Sequence, residues 1–275
     1  MIHKLFNLIS VLIMLFVTLS VFAADTTITV DTNEKRRVVS IGDTLTIDSA
    51  TFTGNIILDG GSLNIINSAT VRGNVVFADA QKIFCHASKI DGKIEGDINT
   101  VEISSCTING KVNIKKSDEV SVDQSTLLSN VDMNNIAFTL ISNSNFSKSD
   151  LKVKDSAIVV IGGNFISEGN IIIIDSNNNQ LVNNTILHGY IKISNATILA
   201  LLASNNISGS AVFINNSSLF VLQNIIGDSL SAVNNKETQL IANTITNNFK
   251  LIPGGVVCVD DSNTYGGKLK GGCGL

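Results

Sequence analysis

Tryptophan is missing from this 275-residue chain, proline occurs once, tyrosine twice and arginine three times. Each scarcity removes a class of reading. With Arg36, Arg37 and Arg72 as its only arginines and a formal net charge of −4, the chain lacks the basic density that grips nucleic acid or anionic membrane. Tyr190 and Tyr265 as the only large amphipathic rings leave few platforms on which a sugar could stack. No ten-residue stretch beyond the N-terminus carries a clear 3.6-residue apolar period, which argues against helices. No series of ten-residue amphipathic strands closes the chain, so it carries no outer-membrane barrel of its own.

The one long apolar run is at the start. Residues 1–24 hold Lys4, an unbroken apolar segment from Val11 to Val17, and the small pair Ala23 and Ala24. That layout predicts a secretory signal peptide cleaved near Ala23/Ala24 and a mature chain exported to an extracellular, periplasmic or cell-surface location. The competing reading, a retained anchor, is disfavoured because the run falls short of the ~20 residues of a bilayer span. Without residues 1–24 the chain loses Lys4 and no acid, leaving 18 basic against 23 acidic side chains.

What is abundant is asparagine, with 33 residues, alternating with Ile, Val and Leu. The stretch SATFTGNII at 49–57 returns as SATVRGNVV at 68–76, and weaker copies follow. Taking the apolar residue after each Thr or Asn as an anchor gives Phe52, Val71, Ile90, Ile108, Leu127, Phe146, Phe165, Ile186, Ile207, Ile225 and Ile245, spaced by 18 to 21 residues. Glycine often stands two positions later, as at Gly54, Gly73, Gly92 and Gly110. Apolar pairs with a spacing of two, such as Leu63/Ile65 and Val101/Ile103, close each unit. A fixed period of this length is the mark of a solenoid, and spacing of two with β-branched residues makes its elements strands. One such unit cannot bury its own apolar side; stacked units ~4.8 Å apart can.

These short Ile/Val strands, Asn-rich corners and period of 18–21 resemble the parallel β-helix superfamily of pectate-lyase-like architecture over about residues 40–250. The fold expectation is all-β: a single right-handed parallel β-helix of about eleven coils over 49–250. Cap strands at 25–48 precede it and a tail at 251–275 follows. Left-handed helices built from hexapeptides want coils of eighteen, and only two of the ten intervals have that length.

Two positions before the anchors a column of small residues, from Ala69 through Ser88, Cys106, Ser125, Ser144 and Gly163, continues with Asn184, Asn205, Gln223 and Asn243. It reads as a corner that becomes a hydrogen-bonded Asn ladder in the C-terminal half. In an exported chain, Cys258 and Cys273 are expected to pair and close the tail over the last coil. Cys85 and Cys106, one coil plus two residues apart, are either an inter-coil bridge or two small buried thiols. Asp59, Asp79, Asp97, Asp118, Asp155 and Asp175 recur near one turn and give way to Asn195, Asn215 and Asn234. They read as turn formers; a Ca²⁺ line is the lesser alternative, because the nonapeptide calcium repeat is absent. No cofactor or metal is expected.

The resemblance raises an enzyme reading, since pectate lyases and polygalacturonases share the architecture. The stretch from His188 to Lys192 faintly resembles polygalacturonase pieces in which a His-Gly and an Arg-Ile-Lys flank the site. Here Tyr190 replaces the Arg, and the one Asp-Asp pair, Asp260 and Asp261, lies in the tail rather than upstream. A polysaccharide lyase or hydrolase with an atypical site using Asp175, His188 and Lys192 is therefore the runner-up. The favoured expectation is a non-enzymatic module presenting an Asn/Ser/Thr-rich surface to a glycan or a cell-surface partner. A Thr-x-Thr face of the ice-binding kind fails, because it occurs only at Thr51/Thr53 and Thr244/Thr246.

Overall fold

The computed structural model describes residues 24–273. Apart from Ala24, the expected signal peptide lies outside them. Every element among the described residues is a strand, the strands pair in parallel with one isolated antiparallel bridge between Ser40 and Gly60, and the chain winds into a β-solenoid of about 13 coils. At ~4.8 Å per coil this is a rod of roughly 58 Å.

Each coil has three faces. Face A is formed by strands such as Leu151–Lys154, Ile171–Ile174, Ile191–Ser194 and Ala211–Ile214. Face B is formed by Ile158–Gly162, Asn178–Val182, Leu199–Ala203 and Ser218–Leu222. Face C is a pair of residues per coil, as in Thr185–Ile186 and Asn206–Ile207. In the N-terminal half faces A and B run together as one bent strand, for example Val75–His86 and Ile94–Ser104. Like residues stack on like: Ile171 pairs with Ile191 and that with Ala211, while Leu181 pairs with Leu202 and that with Val221. Alternation by two sends every second residue inward, so the stacked columns merge into one core running the length of the rod.

Two of the anchors read from the sequence are displaced by one residue. The column runs from Phe146 to Ile166 and from Ile207 to Ile226; Phe165 and Ile225 face solvent at 41% and 54% exposure. The cause lies in the corner between faces B and C. One residue per coil there adopts a left-handed conformation, including Gln124 (φ 48°), Asn143 (φ 48°), Gly163 (φ 67°), Asn183 (φ 57°) and Gln223 (φ 55°). That corner breaks the alternation, so the next residue points inward again, and a one-residue misassignment inverts every side chain after it. Gly163 and Gln223 thus belong to the corner column. Asn164 and Asn224 take the inward places assigned to them, which leaves the asparagine column unbroken.

The two ends also differ from expectation. Thr26–Ile28 pairs with Leu45, Thr46 and Ile47, and Thr32–Ser40 pairs with the strand that begins at Thr51. At the other end Thr264 stacks on Thr244, Tyr265 on Ile245 and Leu269 on Phe249. Segments 25–48 and 251–273 are therefore laps of the same helix, which raises the count from eleven to about thirteen. Cys273 returns to Cys258, with Cα atoms 5.3 Å apart, and the disulfide lies over the last coil. Cys85 and Cys106 also form a disulfide, with Cα atoms 6.3 Å apart and both side chains buried. It joins face B of one coil to the corner of the next.

Candidate functional site

Eight of the 33 asparagines are buried. Asn164, Asn184, Asn205, Asn224 and Asn243 are at most 2% exposed and hydrogen-bond from coil to coil. The Oδ1 of Asn205 accepts the backbone N–H of Asn184 at 2.8 Å and its Nδ2 at 2.9 Å; Asn224 does the same for Asn205 at 2.9 and 3.0 Å. Earlier coils use serine: the Oγ of Ser125 accepts the N–H of Cys106 at 3.1 Å. A second corner, between faces A and B, repeats the device with Asn216 and Asn235. These side chains satisfy backbone donors that the turns leave unpaired, so they hold the solenoid together rather than present a surface.

The aspartates divide by role. Asp79, Asp155 and Asp175 have φ of 48°, 51° and 55°, and the asparagines that follow them, Asn195, Asn215 and Asn234, have φ of 56–59°. They occupy the left-handed position of the A–B corner, which Asp and Asn tolerate because their side chains bond locally. Asp155, Asp175 and Asp118 border an open cavity of about 390 Å³ with Lys116, and a smaller one beside it adds Asp79 and Asp97. Among the described residues no three His, Cys, Asp or Glu side chains converge as a metal would require.

The three residues of the runner-up enzyme reading are not brought together. Asp175 sits at the far end of face A, where its Oδ1 accepts Asn195 Nδ2 at 2.8 Å. His188 sits in the turn that enters face A, exposed, with its carbonyl accepting the N–H of Gly169 at 2.9 Å. A four-residue strand, about 13 Å long, separates those two ends. Lys192 lies on the outer side of face A between Ile172 and Val212. Asp175 and Lys192 line different cavities, and His188 lines neither of them.

Lys192 instead belongs to an open groove of about 560 Å³ with Gly189, Tyr190, Gly209, Ser210, Val212 and Asp228. Gly189 and Gly209 stack directly, and a methyl group on either would overlap the carbonyl of the glycine one coil below. Glycine is thus required for the coils to approach, and the missing side chains leave a dip in the surface. Tyr190 forms one wall, its N–H bonded to Asn170 Oδ1 at 3.0 Å and the residue 37% exposed. Asp228 closes the other end, two coils along. Its carboxylate accepts Asn247 Nδ2 at 3.0 Å, Ser210 Oγ at 2.7 Å and Ser229 Oγ at 3.3 Å. Those bonds, that from Asn247 foremost, hold its pKa below the ordinary 3.8 and keep it ionised. Lys192 has no ion-pair partner among the described residues. The groove therefore offers an aromatic face, an ammonium, a fixed carboxylate and a hydroxyl around the apolar Val212. Asp228 escaped notice in the sequence; its one signal was an acid in a column otherwise held by glycine and small polar residues.

No protein-family model matches the chain, and no curated protein and no solved structure matches it either.

Proposed function

We propose that this is an exported, non-enzymatic solenoid that binds a glycan in the groove between Tyr190 and Asp228. The observation that carries the reading is the grouping, in one 560 Å³ depression, of a Tyr ring with a lysine and an ionised aspartate. Aromatic rings take the C–H face of a pyranose, while fixed charged and hydroxyl groups take its hydroxyls. Such a groove suits a ligand of a few sugar units, and Lys192 favours one bearing carboxylate or sulfate. Two disulfides accord with an oxidising compartment, where such ligands are met.

The test is a glycan array with the oxidised mature protein, followed by calorimetry on the best ligand. Saturable binding without turnover is expected. Tyr190→Ala should weaken it about 3- to 10-fold, the scale of one aromatic contact, with Tyr190→Phe close to wild type. Binding that ignores Tyr190→Ala and Asp228→Asn would refute the groove. Product release from uronic-acid polymers, lost on His188→Ala or Lys192→Ala, would instead support the polysaccharide-active enzyme.

A further inference from the structure

The outer side of face B changes character halfway along the rod. Between residues 44 and 123 its outward positions carry Asp48, Lys82, Glu102, Glu119 and Asp123 beside two large apolar residues, Ile66 and Phe84, and Lys82 pairs with Glu102 at 2.8 Å. From residue 138 to 261 the outward charges are Glu237 and Asp261, at the two margins of the face. In their place stand Leu140, Val160, Leu201, Phe220, Leu222 and Ile241, interrupted by the uncharged polar residues Asn178, Gln180 and Gln239 at the same outward positions. Ile158, Val257 and Val259 extend the patch at 39%, 45% and 40% exposure.

The local sequences agree. The early strands alternate, as in TVEIS at 100–104 and EVSVD at 119–123, whereas three of the later ones are continuously apolar, IVVI at 158–161, LALLA at 199–203 and LFVL at 219–222, while NNQLV at 178–182 and ETQLI at 237–241 are not. Continuous apolar runs are the pattern of parallel strands covered on both faces. Here the inner side is covered by the core, and no element among the described residues covers the outer one.

We infer that face B from residue 138 to 261 is a dimer interface with a second copy of this chain. Seven strands of five residues give a nearly flat patch of about 34 by 16 Å, or roughly 540 Å² per copy. Pairing two copies removes about 1,100 Å², the size of a weak, separable dimer with a micromolar dissociation constant. A twofold axis through the middle strand, Leu199–Ala203, sets apolar face on apolar face at the ~10 Å spacing of packed sheets. The charged first half of face B then projects beyond the overlap, which fixes how far the two rods can slide. A partner recognised by charge does not fit this patch.

The test is sedimentation of the oxidised mature protein across the micromolar range. Wild type is expected at twice the chain mass, Leu201→Lys at the monomer mass with an unchanged β-sheet circular dichroism spectrum, and Ser121→Lys as a dimer. A wild type that stays monomeric, with or without affinity for lipid vesicles or another protein, overturns the inference. So does a folded Leu201→Lys protein that remains dimeric. Should Leu201→Lys fail to fold, Leu201→Cys treated with a short bismaleimide decides: covalent dimer is expected there and not for Ser121→Cys, and the reverse result overturns the interface.

Discussion

Truncating Asn205 isolates the interaction on which the C-terminal half rests. Its Oδ1 accepts two bonds from Asn184, and its Nδ2 donates to Leu181 O and Ala203 O at 2.9 Å and to Asn224 Oδ1 at 3.0 Å, one hydrogen being shared. In Asn205→Ala the side chain of Asn184 keeps its bond to Ile161 O, and Asn224 keeps the N–H of residue 205. The buried N–H of Asn184 loses its acceptor. That orphan costs about 1–3 kcal/mol, and the void left by the amide adds about 1 kcal/mol. The expected loss is ~2–4 kcal/mol, or a melting temperature lower by roughly 5–15 °C for a chain of this size. Asn205→Ser should lose about half as much, because a serine in this column still accepts the N–H below it, as Ser125 does for Cys106. Asn206→Ala is the control: the neighbouring side chain is exposed, and its loss should stay within about 0.5 kcal/mol. Urea and thermal unfolding followed by circular dichroism give the energies, and hydrogen exchange at the Asn184 amide reports the bond itself. Equal losses for Asn205→Ala and Asn206→Ala, with Asn184 still protected, would refute the ladder as a source of stability.

Gly92→Ala should lose about 1–3 kcal/mol in the same unfolding assay, because the added methyl overlaps the Gly73 carbonyl; Gly162→Ala, whose methyl meets nothing nearer than 3.4 Å, should be nearly neutral. Under mild reductant, mass spectrometry after alkylation should show Cys258–Cys273 opening first, since Cys85 and Cys106 are buried at 0% and 1% exposure. Replacing Cys85 and Cys106 together by alanine should lower stability by about 3 kcal/mol on chain-entropy grounds. Asp228 has its folded pKa depressed below 3.8, so its small stabilising contribution is complete above that value and disappears as pH falls through the depressed one. A carboxyl NMR titration should place its midpoint below 3.8 and move it upward in Asn247→Ala.

The sequence alone determined the solenoid. A recurrence every 18 to 21 residues, β-branched pairs spaced by two and turn residues between them leave one economical way to bury the apolar side chains, which is to stack like on like. These are local regularities, repeated often enough that an error at one coil does not hide them. The same regularity misled at Phe165 and Ile225. An apolar residue after Asn looks inward by composition, but the left-handed corner before it resets which residues face the core, and backbone conformation at Gly163 and Gln223 is not written in residue type. The terminal laps were missed because Thr26–Ile28 and the stretch around Tyr265 share few residues with the repeat and join it through backbone pairing, which tolerates divergent side chains.

Only the tertiary structure decided the rest. Tyr190 and Asp228 stand 38 positions apart in the chain, and two coils of winding bring them to one groove. Asp175 and His188, much nearer in sequence, are carried to opposite ends of a strand. Proximity along a solenoid follows position within the lap rather than distance along the chain, because each lap adds ~4.8 Å of rise while sweeping through every face.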